Sequence, residues 1–252
     1  MRVLLTGVVE GLGRALCDRL LGNGHTVVGL DNNGAGLAEM ADRPGLSLLC
    51  VDLCVAREVE RAIKALCAEA PFDMVIFNAG ISATGRFEDI PATAYAKLLC
   101  INVETPMVMA SQLLANAMIA PGGSVVFVSS LSHITGYPGA SVYCASKDAL
   151  ATYAKSIRPA CAARGVNVLC VFPGPLQTAH AARHSPTGSK AEKRMSPDLL
   201  AQQILEAAKN RRKNLYPGRA AKFAHIAGRL SPNTMCRIMR RLIFEKLDKT
   251  TY

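Results

Sequence analysis

Short apolar runs alternate with amphipathic stretches along most of the chain, and this alternation restricts the fold more than any other feature. The runs predict β-strands at about 2–6, 25–30, 46–51, 73–77, 123–129 and 166–172, with a short further strand near 213–216. The stretches between them predict helices at about 12–22, 55–69, 93–117, 141–163 and 197–209. A rhythm of this kind is typical of a parallel sheet that is covered by helices on both faces.

The composition fits one large core. Half of the 252 residues are apolar, only 5% are aromatic and there is no Trp, so the core must be aliphatic. We therefore expect an α/β protein with a doubly wound, Rossmann-type parallel sheet. A single catalytic and dinucleotide-binding domain is expected over residues 1–220, followed by a basic amphipathic helical tail over residues 221–252.

Several classes of protein are disfavoured. The first residues lack the long apolar stretch of a signal peptide, and no apolar segment approaches the roughly 20 residues that span a bilayer. The nine cysteines are scattered, with neither a C-x-x-C motif nor a histidine cluster. This pattern predicts a reduced, cytoplasmic protein without a metal site.

A glycine-rich turn joins the first strand to the first helix. It runs T-G-V-V-E-G-L-G, and its candidate cofactor-binding residues are Thr6, Gly7, Gly11, Leu12 and Gly13. Glycines there let a pyrophosphate approach the backbone, and the helix N-terminus offers free N–H groups. Ordinary strand-to-helix turns also use glycine, but the position in the first β-α unit favours a dinucleotide.

Two acidic residues follow the next strands. Asp31 ends the second strand, where a carboxylate accepts the ribose hydroxyls of NAD and repels the 2′-phosphate of NADP; the alternative is a turn-forming residue. Asp52, followed by Leu53, can reach the adenine or cap the following helix, and we weigh these two roles equally. The sequence therefore predicts NAD in preference to NADP.

A tyrosine and a lysine lie four residues apart at the start of a predicted helix, so Tyr143 and Lys147 share one face. A nearby ammonium is expected to lower the pKa of a phenol, which is ordinarily about 10. Tyr143 would then exchange a proton with a substrate hydroxyl, and Ser130 at the end of a strand would hold the same oxygen. A Y-x-x-x-K pattern alone more often marks a solvated helix face, so its neighbours matter.

Together these motifs resemble the short-chain dehydrogenase/reductase family over residues 1 to about 220. In chain order they are T-G-x-x-x-G-x-G at 6–13, Asn78-Ala79-Gly80, Asn102, Ser130, Y-x-x-x-K at 143–147 and Pro173-Gly174-Pro175-Leu176-Gln177-Thr178. The ordered set is far more specific than any one member. The resemblance also implies a homo-oligomer, either a dimer or a tetramer.

The resemblance implies a role for each motif. Tyr143 is the acid/base, Lys147 tunes it and holds the nicotinamide ribose, Ser130 places the carbonyl oxygen, and Asn102 supports a water relay. The residues implied to shape the cofactor cleft or hold the nicotinamide amide are Asn78, Ala79, Gly80, Pro173, Gly174 and Thr178. Asn78 and Asn102 can also serve only to satisfy buried backbone groups, and for Asn78 we favour that structural role.

Two departures from the family pattern leave the catalytic set untouched. Phe77 stands where the family often has an Asn, and Val8-Val9-Glu10 replaces a Ser-rich filling of the turn. Glu10 occupies a position where members that prefer NADP often carry a base, which again argues for NAD.

The expected substrate pocket lies between the catalytic residues and the loop after Thr178. Its predicted walls beside Ser130 are Leu131, His133, Tyr137 and Leu176, with Ile81 and Ser82. Most of them are apolar, which favours a hydrophobic substrate. The polar stretch 179–196 predicts a loop over the site; its basic residues can attract a carboxylate or phosphate, or can simply be solvated.

The tail holds the whole net charge. Residues 209–252 contain 12 Lys and Arg against two carboxylates, which accounts for the net charge of +10. Two amphipathic patterns lie here, one over Phe223–Leu230 and one over Met235–Ile243. We expect the first to pack on the protein body or a partner subunit. We expect the second to contact a membrane, at the inner surface, or a partner. The cluster lacks the aromatic interleaving of a nucleic-acid site.

The sequence thus predicts an NAD(H)-dependent oxidoreductase for a hydrophobic secondary alcohol or ketone. A second hypothesis is a reductase of 3-oxoacyl thioesters carried by coenzyme A or an acyl carrier protein. A third, from another class, is a non-catalytic NAD-binding scaffold at a membrane.

Overall fold

The computed structural model describes residues 1–132, 137–185, 189, 191–242, 244–246 and 250–252. Within these residues, seven strands form one sheet in the order β3-β2-β1-β4-β5-β6-β7, and every neighbouring pair is parallel. The strands are β1 (Arg2–Thr6), β2 (Thr26–Asp31), β3 (Leu46–Cys50), β4 (Phe72–Phe77), β5 (Ile119–Val128), β6 (Asn167–Val171) and β7 (Asn214–Leu215). The expected doubly wound parallel sheet is confirmed.

Helices follow most strands. They are α1 (Gly11–Gly22), α2 (Gly34–Ala38), α3 (Ala56–Leu66), α4 (Ala92–Leu99), α5 (Thr105–Ala115), α6 (Ser141–Ala162), α7 (Ala179–Arg183), α8 (Pro197–Lys209), α9 (Gly218–Leu230) and α10 (Pro232–Leu242). A π-helical turn, Cys100–Glu104, joins α4 to α5, and 3₁₀ turns lie at Phe87–Asp89, Ala191–Lys193 and Phe244–Lys246.

The sheet separates two aliphatic core layers. On one face, α3, α5 and α6 pack over side chains that include Phe77 and Phe127, whose rings stack at 5.2 Å. On the other face, α1 and α8 cover Leu5 and Ile76. Because β2 and β4 lie on opposite sides of β1, the winding reverses there, and a crevice opens at the carboxyl ends of β1 and β4.

The predicted elements are all present, with shifted ends. β5 begins at Ile119 instead of 123, since it pairs with β4 through an irregular register between Phe72 and Met74. The helix expected at 93–117 contains the π-helical turn, and the loop expected at 179–196 contains α7. α2 was not predicted, because its five residues show no apolar period.

The expectation that no segment is long and apolar enough to span a bilayer was wrong on length and composition. The helical run Ala92–Ala115 has 24 residues and contains an 18-residue window with a mean hydropathy of 1.4. Its apolar side chains, among them Met109 and Leu113, lie in the core under α3 and α6. We therefore assign this run to the protein core.

The apolar side chains of the two tail helices face different surroundings. α9 leaves Phe223, Ile226 and Leu230 exposed by 73%, 57% and 80%, so its apolar pattern does not pack on the body. α10 instead turns Met235 and Met239 toward the crevice. The chain end then returns to the body, where Thr251 and Thr84 exchange two backbone hydrogen bonds of 2.8 Å.

Candidate active site

The glycine turn has the tight packing that its residues suggest. Gly7 adopts φ +69°, and a Cβ there would lie 2.9 Å from the Cα of Ala79. A Cβ on Gly13 would lie within 2 Å of the Gly7 carbonyl oxygen, so only glycine lets α1 approach the end of β1 so closely. Gly11 and Leu12 open α1 and line the cleft that begins here.

Thr6 and Asn78 hold this turn from behind. The Asn78 side-chain amide donates to the carbonyl oxygens of Thr6 and Gly7 at 3.1 and 3.0 Å. The hydroxyl of Thr6 accepts from the backbone N–H groups of Asn78 and Ala79 at 3.1 Å each. Thr6 and Gly13 are not among the described residues that line the cleft; both shape the turn, and their predicted contact with the cofactor stays a prediction.

Asp31 and Asp52 both line the adjoining part of the cleft. Asp31 accepts from the backbone N–H groups of Val9 at 3.1 Å and Asn33 at 3.0 Å, which fixes its carboxylate beside the glycine turn. Asp52 accepts from Cys54 N–H at 2.8 Å in a local turn, with Leu53 next to it in the cleft wall. Asp52 therefore makes its turn contact and still faces the cleft.

Tyr143, Lys147 and Ser130 meet in one buried place, as the sequence predicts. Ser130 lies close enough to Tyr143 to lower the pKa of its phenol, and the Ser130 hydroxyl accepts from the Ser132 backbone N–H at 3.2 Å and from the Ser132 hydroxyl at 2.9 Å. The Lys147 ammonium lies 5.8 Å from the centre of the Tyr143 ring. Lys147 Nζ donates to the Val128 carbonyl at 2.9 Å. All three side chains line the cleft.

The electrostatics of this group differ from the expectation. Burial raises the pKa of Tyr143 to about 12, and the effect of Ser130 only partly offsets it. Burial also lowers the pKa of Lys147 to about 8. The predicted lowering of the tyrosine pKa by Lys147 was wrong for the chain alone, because loss of hydration is the largest effect on the phenol and raises its pKa. Tyr143 is therefore a neutral phenol near pH 7.

Asn102 lies in the π-helical turn and is 1% exposed. Its side-chain oxygen accepts from Ile81 N–H at 2.9 Å, and its amide donates to the Ile81 carbonyl at 2.9 Å and to Ser146 Oγ at 3.0 Å. The side chain thus ties the segment after β4 to α6, and its part in a water relay stays a prediction.

The segment after β6 closes the cleft above the glycine turn. Pro173, Gly174 and Thr178 line it, and Thr178 lies so near Gly11 that a Cβ there would be 3.2 Å from the threonine methyl group. The Thr178 hydroxyl accepts from Ala181 N–H at 3.1 Å and so caps α7. Gly80 approaches Lys147 and Asn102 equally closely from the other side, since a Cβ on it would lie 3.1 Å from both.

The cleft continues past Tyr143 and measures about 1540 Å³ in all. The residues predicted to form the substrate side of the cleft line it in the structure: Leu131, Tyr137, Leu176, Ile81 and Ser82. His133 lies outside the described residues. The sequence did not indicate Thr84, Met235 and Met239, which also line this end, because no local pattern reports that the chain end folds back onto the body.

Comparison with known proteins places these features in a family. A model of the short chain dehydrogenase family matches residues 1–188. An uncharacterized short-chain type dehydrogenase/reductase of Sinorhizobium fredii is 32% identical over 180 residues, which cover 70% of this chain but only 32% of that longer protein. L-xylulose reductase of Bos taurus is 30% identical over 195 residues, covering 75% of this chain and 78% of the reductase.

Solved structures share the fold. A short-chain dehydrogenase from Sphingobium yanoikuyae, in complex with NADPH, superposes with a TM-score of 0.78 at 21% identity, over 91% of this chain and 93% of the other. At that identity the likeness concerns the fold alone.

Proposed function

Because the chain belongs to the short-chain dehydrogenase/reductase family, we propose that it transfers a hydride between NAD(H) and a hydrophobic secondary alcohol or ketone. The family makes it an oxidoreductase of alcohol and ketone groups with a nicotinamide cofactor. The observation that carries the proposal is the meeting of Ser130, Tyr143 and Lys147 in the same cleft as the glycine turn.

The residues present fit a dinucleotide. Binding pockets of about 300–1,000 Å³ hold one small ligand, so a cleft of about 1540 Å³ has room for a cofactor and a substrate together. The glycine turn and the start of α1 would hold the pyrophosphate, Asp31 the ribose beside the adenine, and Lys147 the ribose beside the nicotinamide. Nicotinamide would supply or accept the hydride at the reacting carbon.

The protein's own part in the reaction is to place the substrate oxygen and move its proton. Ser130 would donate a hydrogen bond to that oxygen, and Tyr143 would donate its phenolic proton to it as a ketone is reduced. The high pKa of Tyr143 suits this direction, since the phenol is already protonated near pH 7. Lys147, which is 4% exposed, places a positive charge beside the phenol and stabilises the phenolate that forms.

The preference for NAD rests on Asp31. Its carboxylate is fixed at the cleft wall by Val9 and Asn33, in the position where it would accept the ribose hydroxyls of NAD. A 2′-phosphate would meet the same negative charge and be repelled.

Replacing Tyr143 by Phe tests the function. Removing a general acid typically lowers the rate by about 10²–10⁴-fold, so kcat for ketone reduction is expected to fall in that range. Tyr153→Phe is the matched control, because Tyr153 lies outside the cleft and donates to the Met107 carbonyl at 3.0 Å. Equal losses in both variants, or no loss in Tyr143→Phe, would refute the role and favour a non-catalytic NAD-binding scaffold.

Two further expectations remain part of the proposal. The chain would form a homo-oligomer, which sedimentation measures directly. It would work in the cytoplasm, with peripheral contact to the inner membrane surface. The exposed apolar side chains Phe223, Ile226 and Leu230, set among the basic residues of α9, support that contact.

A reductase of 3-oxoacyl thioesters is the second candidate. The basic residues that line the substrate end of the cleft favour it, because such substrates carry phosphate groups.

A further inference from the structure

Charge is unevenly distributed among the residues that line the cleft, and Arg14 and Lys97, which also line it, come from the same part of the chain as its carboxylates. Among the described residues, the carboxylates that line it are Glu10, Asp31 and Asp52, and all of them lie at the end by the glycine turn. The cations that line the cleft from residue 179 onward are Arg183, Lys193, Arg194, Arg219 and Lys246. No ion pair joins these cations to a carboxylate within the described part of the chain. The described part of the cleft lining from residue 179 onward therefore carries five cations and no carboxylate.

Arg194 is fixed on the substrate side. Its neighbour Met195 forms a parallel bridge with Leu176, and Gln177 donates its side-chain amide to the Arg194 carbonyl at 2.8 Å. The positive charge of Arg194 acts on the phenol of Tyr137, which also lines the substrate end. Arg194 thus lies near Tyr137 in the cleft wall and is tied through Gln177 to the segment after β6.

The Arg194 guanidinium has an unused donor. Its Nη2 donates to the Ser189 hydroxyl at 2.7 Å, whereas Nη1 is buried and has no hydrogen-bond partner among the described residues. Buried donors are normally satisfied, and an arginine fork suits the two oxygens of a carboxylate or phosphate. Three other described arginines have a similar buried nitrogen, but Arg194 is the one of them that lines the cleft: the others are Arg19, Arg43 and Arg158.

The pKa of His180 is sensitive to the positive charges around it. Burial lowers its pKa to about 4, and the charges of His184, Arg183 and Lys147 act in the same direction. The two imidazole rings lie 4.7 Å apart. The same nearby positive charges would attract an anion placed beside His180. Because the histidine is partly buried, that attraction would act at a low effective dielectric constant.

We propose that the physiological substrate carries an oxyanion, either a carboxylate or a phosphate, which binds Arg194 while the ketone or alcohol meets Tyr143. This inference rests on the proposed function, since it uses the same site. Apolar side chains also line the cleft, among them Leu176, Met195 and Met235. The substrate is therefore an amphiphile with an apolar middle and a charged far end.

Calorimetry on the full chain saturated with NAD⁺ tests this without turnover, because NAD⁺ cannot reduce a ketone. The ligands are 7-oxooctanoate and its neutral amide, then an oxoacyl pantetheine and the matching 4′-phosphopantetheine thioester. We expect the charged member of at least one pair to bind about tenfold more tightly. The pair that shows the difference identifies carboxylate or phosphate. Equal affinities within both pairs would overturn the proposal.

Substitution of Arg194 tests whether this residue causes the tighter binding of the charged ligands. Arg194→Gln should remove the preference for the anion, Arg194→Lys should keep part of it, and Arg57→Gln, an exposed position outside the cleft, should leave it unchanged. The melting temperature of each variant verifies folding. If Arg194→Gln keeps the anion preference and instead weakens NADH binding, Arg194 serves the cofactor and the proposal fails.

Turnover separates this inference from the function itself. Reduction of the neutral amide as efficiently as the acid would leave the oxidoreductase standing and remove the anion site. Failure to reduce any ketone with NADH or NADPH would refute the function, while the calorimetric comparison would still decide whether the anion site exists.

Discussion

At the scale of single residues, the site is governed by burial of Tyr143 and Lys147. Both side chains lose hydration, so the pKa of the phenol rises to about 12 and that of the ammonium falls to about 8. Each shift favours the uncharged form. The Tyr143 phenol can therefore donate its proton directly near pH 7, but it must first lose that proton to a base from solvent before it can accept one.

The protonated state of Tyr143 predicts different pH dependences for ketone reduction and alcohol oxidation. The kcat/KM for ketone reduction should stay flat from pH 6 to about 8, because the Tyr143 phenol stays protonated well below its pKa of about 12. The kcat/KM for alcohol oxidation should rise with pH up to about 8, because the competent phenolate becomes more populated. Above pH 8 it should rise less steeply, because Lys147, with a pKa of about 8, loses the charge that stabilises the phenolate. Initial rates in both directions measure this. An oxidation rate that does not change between pH 7 and 10 would contradict the assignment.

Asp31 gives a prediction on cofactor choice. Asp31→Ala removes the negative charge that would face a 2′-phosphate, so the ratio of kcat/KM for NADH over NADPH should fall about tenfold or more. Asp42→Ala, at an exposed position outside the cleft, is the matched control. The same ratio in the wild type and in Asp31→Ala would exclude Asp31 as the determinant.

At the scale of elements, α10 forms part of the substrate wall. Deletion of residues 234–252 should leave the core intact, because the last buried hydrophobic residue in the described part of the chain is Ala221. Loss of Met235 and Met239 from the wall should raise KM for a hydrophobic ketone about tenfold, as expected when burial of one apolar side chain is lost. KM for NADH should not change.

Ile238→Ser serves as the control for that deletion, since Ile238 is 44% exposed and does not line the cleft. Should the shortened chain keep the wild-type KM for the ketone, α10 has no part in binding it.

α9 carries the prediction on membranes. Replacing Phe223, Ile226 and Leu230 together by Ser should reduce co-flotation with anionic liposomes, because these exposed side chains would insert among the lipids. High salt should weaken binding of the wild type as well, since it screens the basic residues. Flotation that is equal for the wild type and the triple variant would refute the contact.

The strands and the order of site residues could be predicted from sequence because both depend on local pattern. Gly7, Asp31 and Ser130 each come just after or at the end of an apolar run, and parallel strands bring those ends together. The tail could not be predicted in this way. Met235 and Met239 repeat with a helical period whether they face a membrane or a cleft, and only the return of Thr251 to Thr84 decides between them.

The pKa of Tyr143 was missed for a related reason. The sequence shows that Lys147 lies one turn away, which gives the sign of the charge effect. It does not show how completely neighbouring elements exclude water from the pair, and that exclusion is the larger effect here.

At the scale of the whole molecule, the cleft joins the turn after β1 to the segments after β4, β5 and β6, so a bound dinucleotide would contact most of the sheet's carboxyl edge. A ligand that binds only the folded state stabilises it by about 2.7 kcal/mol at 100 times its Kd. NADH at that concentration should therefore raise the melting temperature by about 5–11 °C, because each kcal/mol is worth about 2–4 °C for a chain of this size.

Substitution of Gly13 tests whether NADH stabilises the protein by binding at the glycine turn. In Gly13→Ala, the new Cβ would collide with the Gly7 carbonyl oxygen, so the turn must open and the NADH-dependent shift should disappear. Gly22→Ala, in the same helix α1, meets no atom within 4 Å and should keep the full shift, with a fold at least as stable as the wild type. Thermal unfolding with and without NADH measures both. A full shift in Gly13→Ala would mean that the cofactor binds away from this turn, and the catalytic residues would then have no hydride partner beside them.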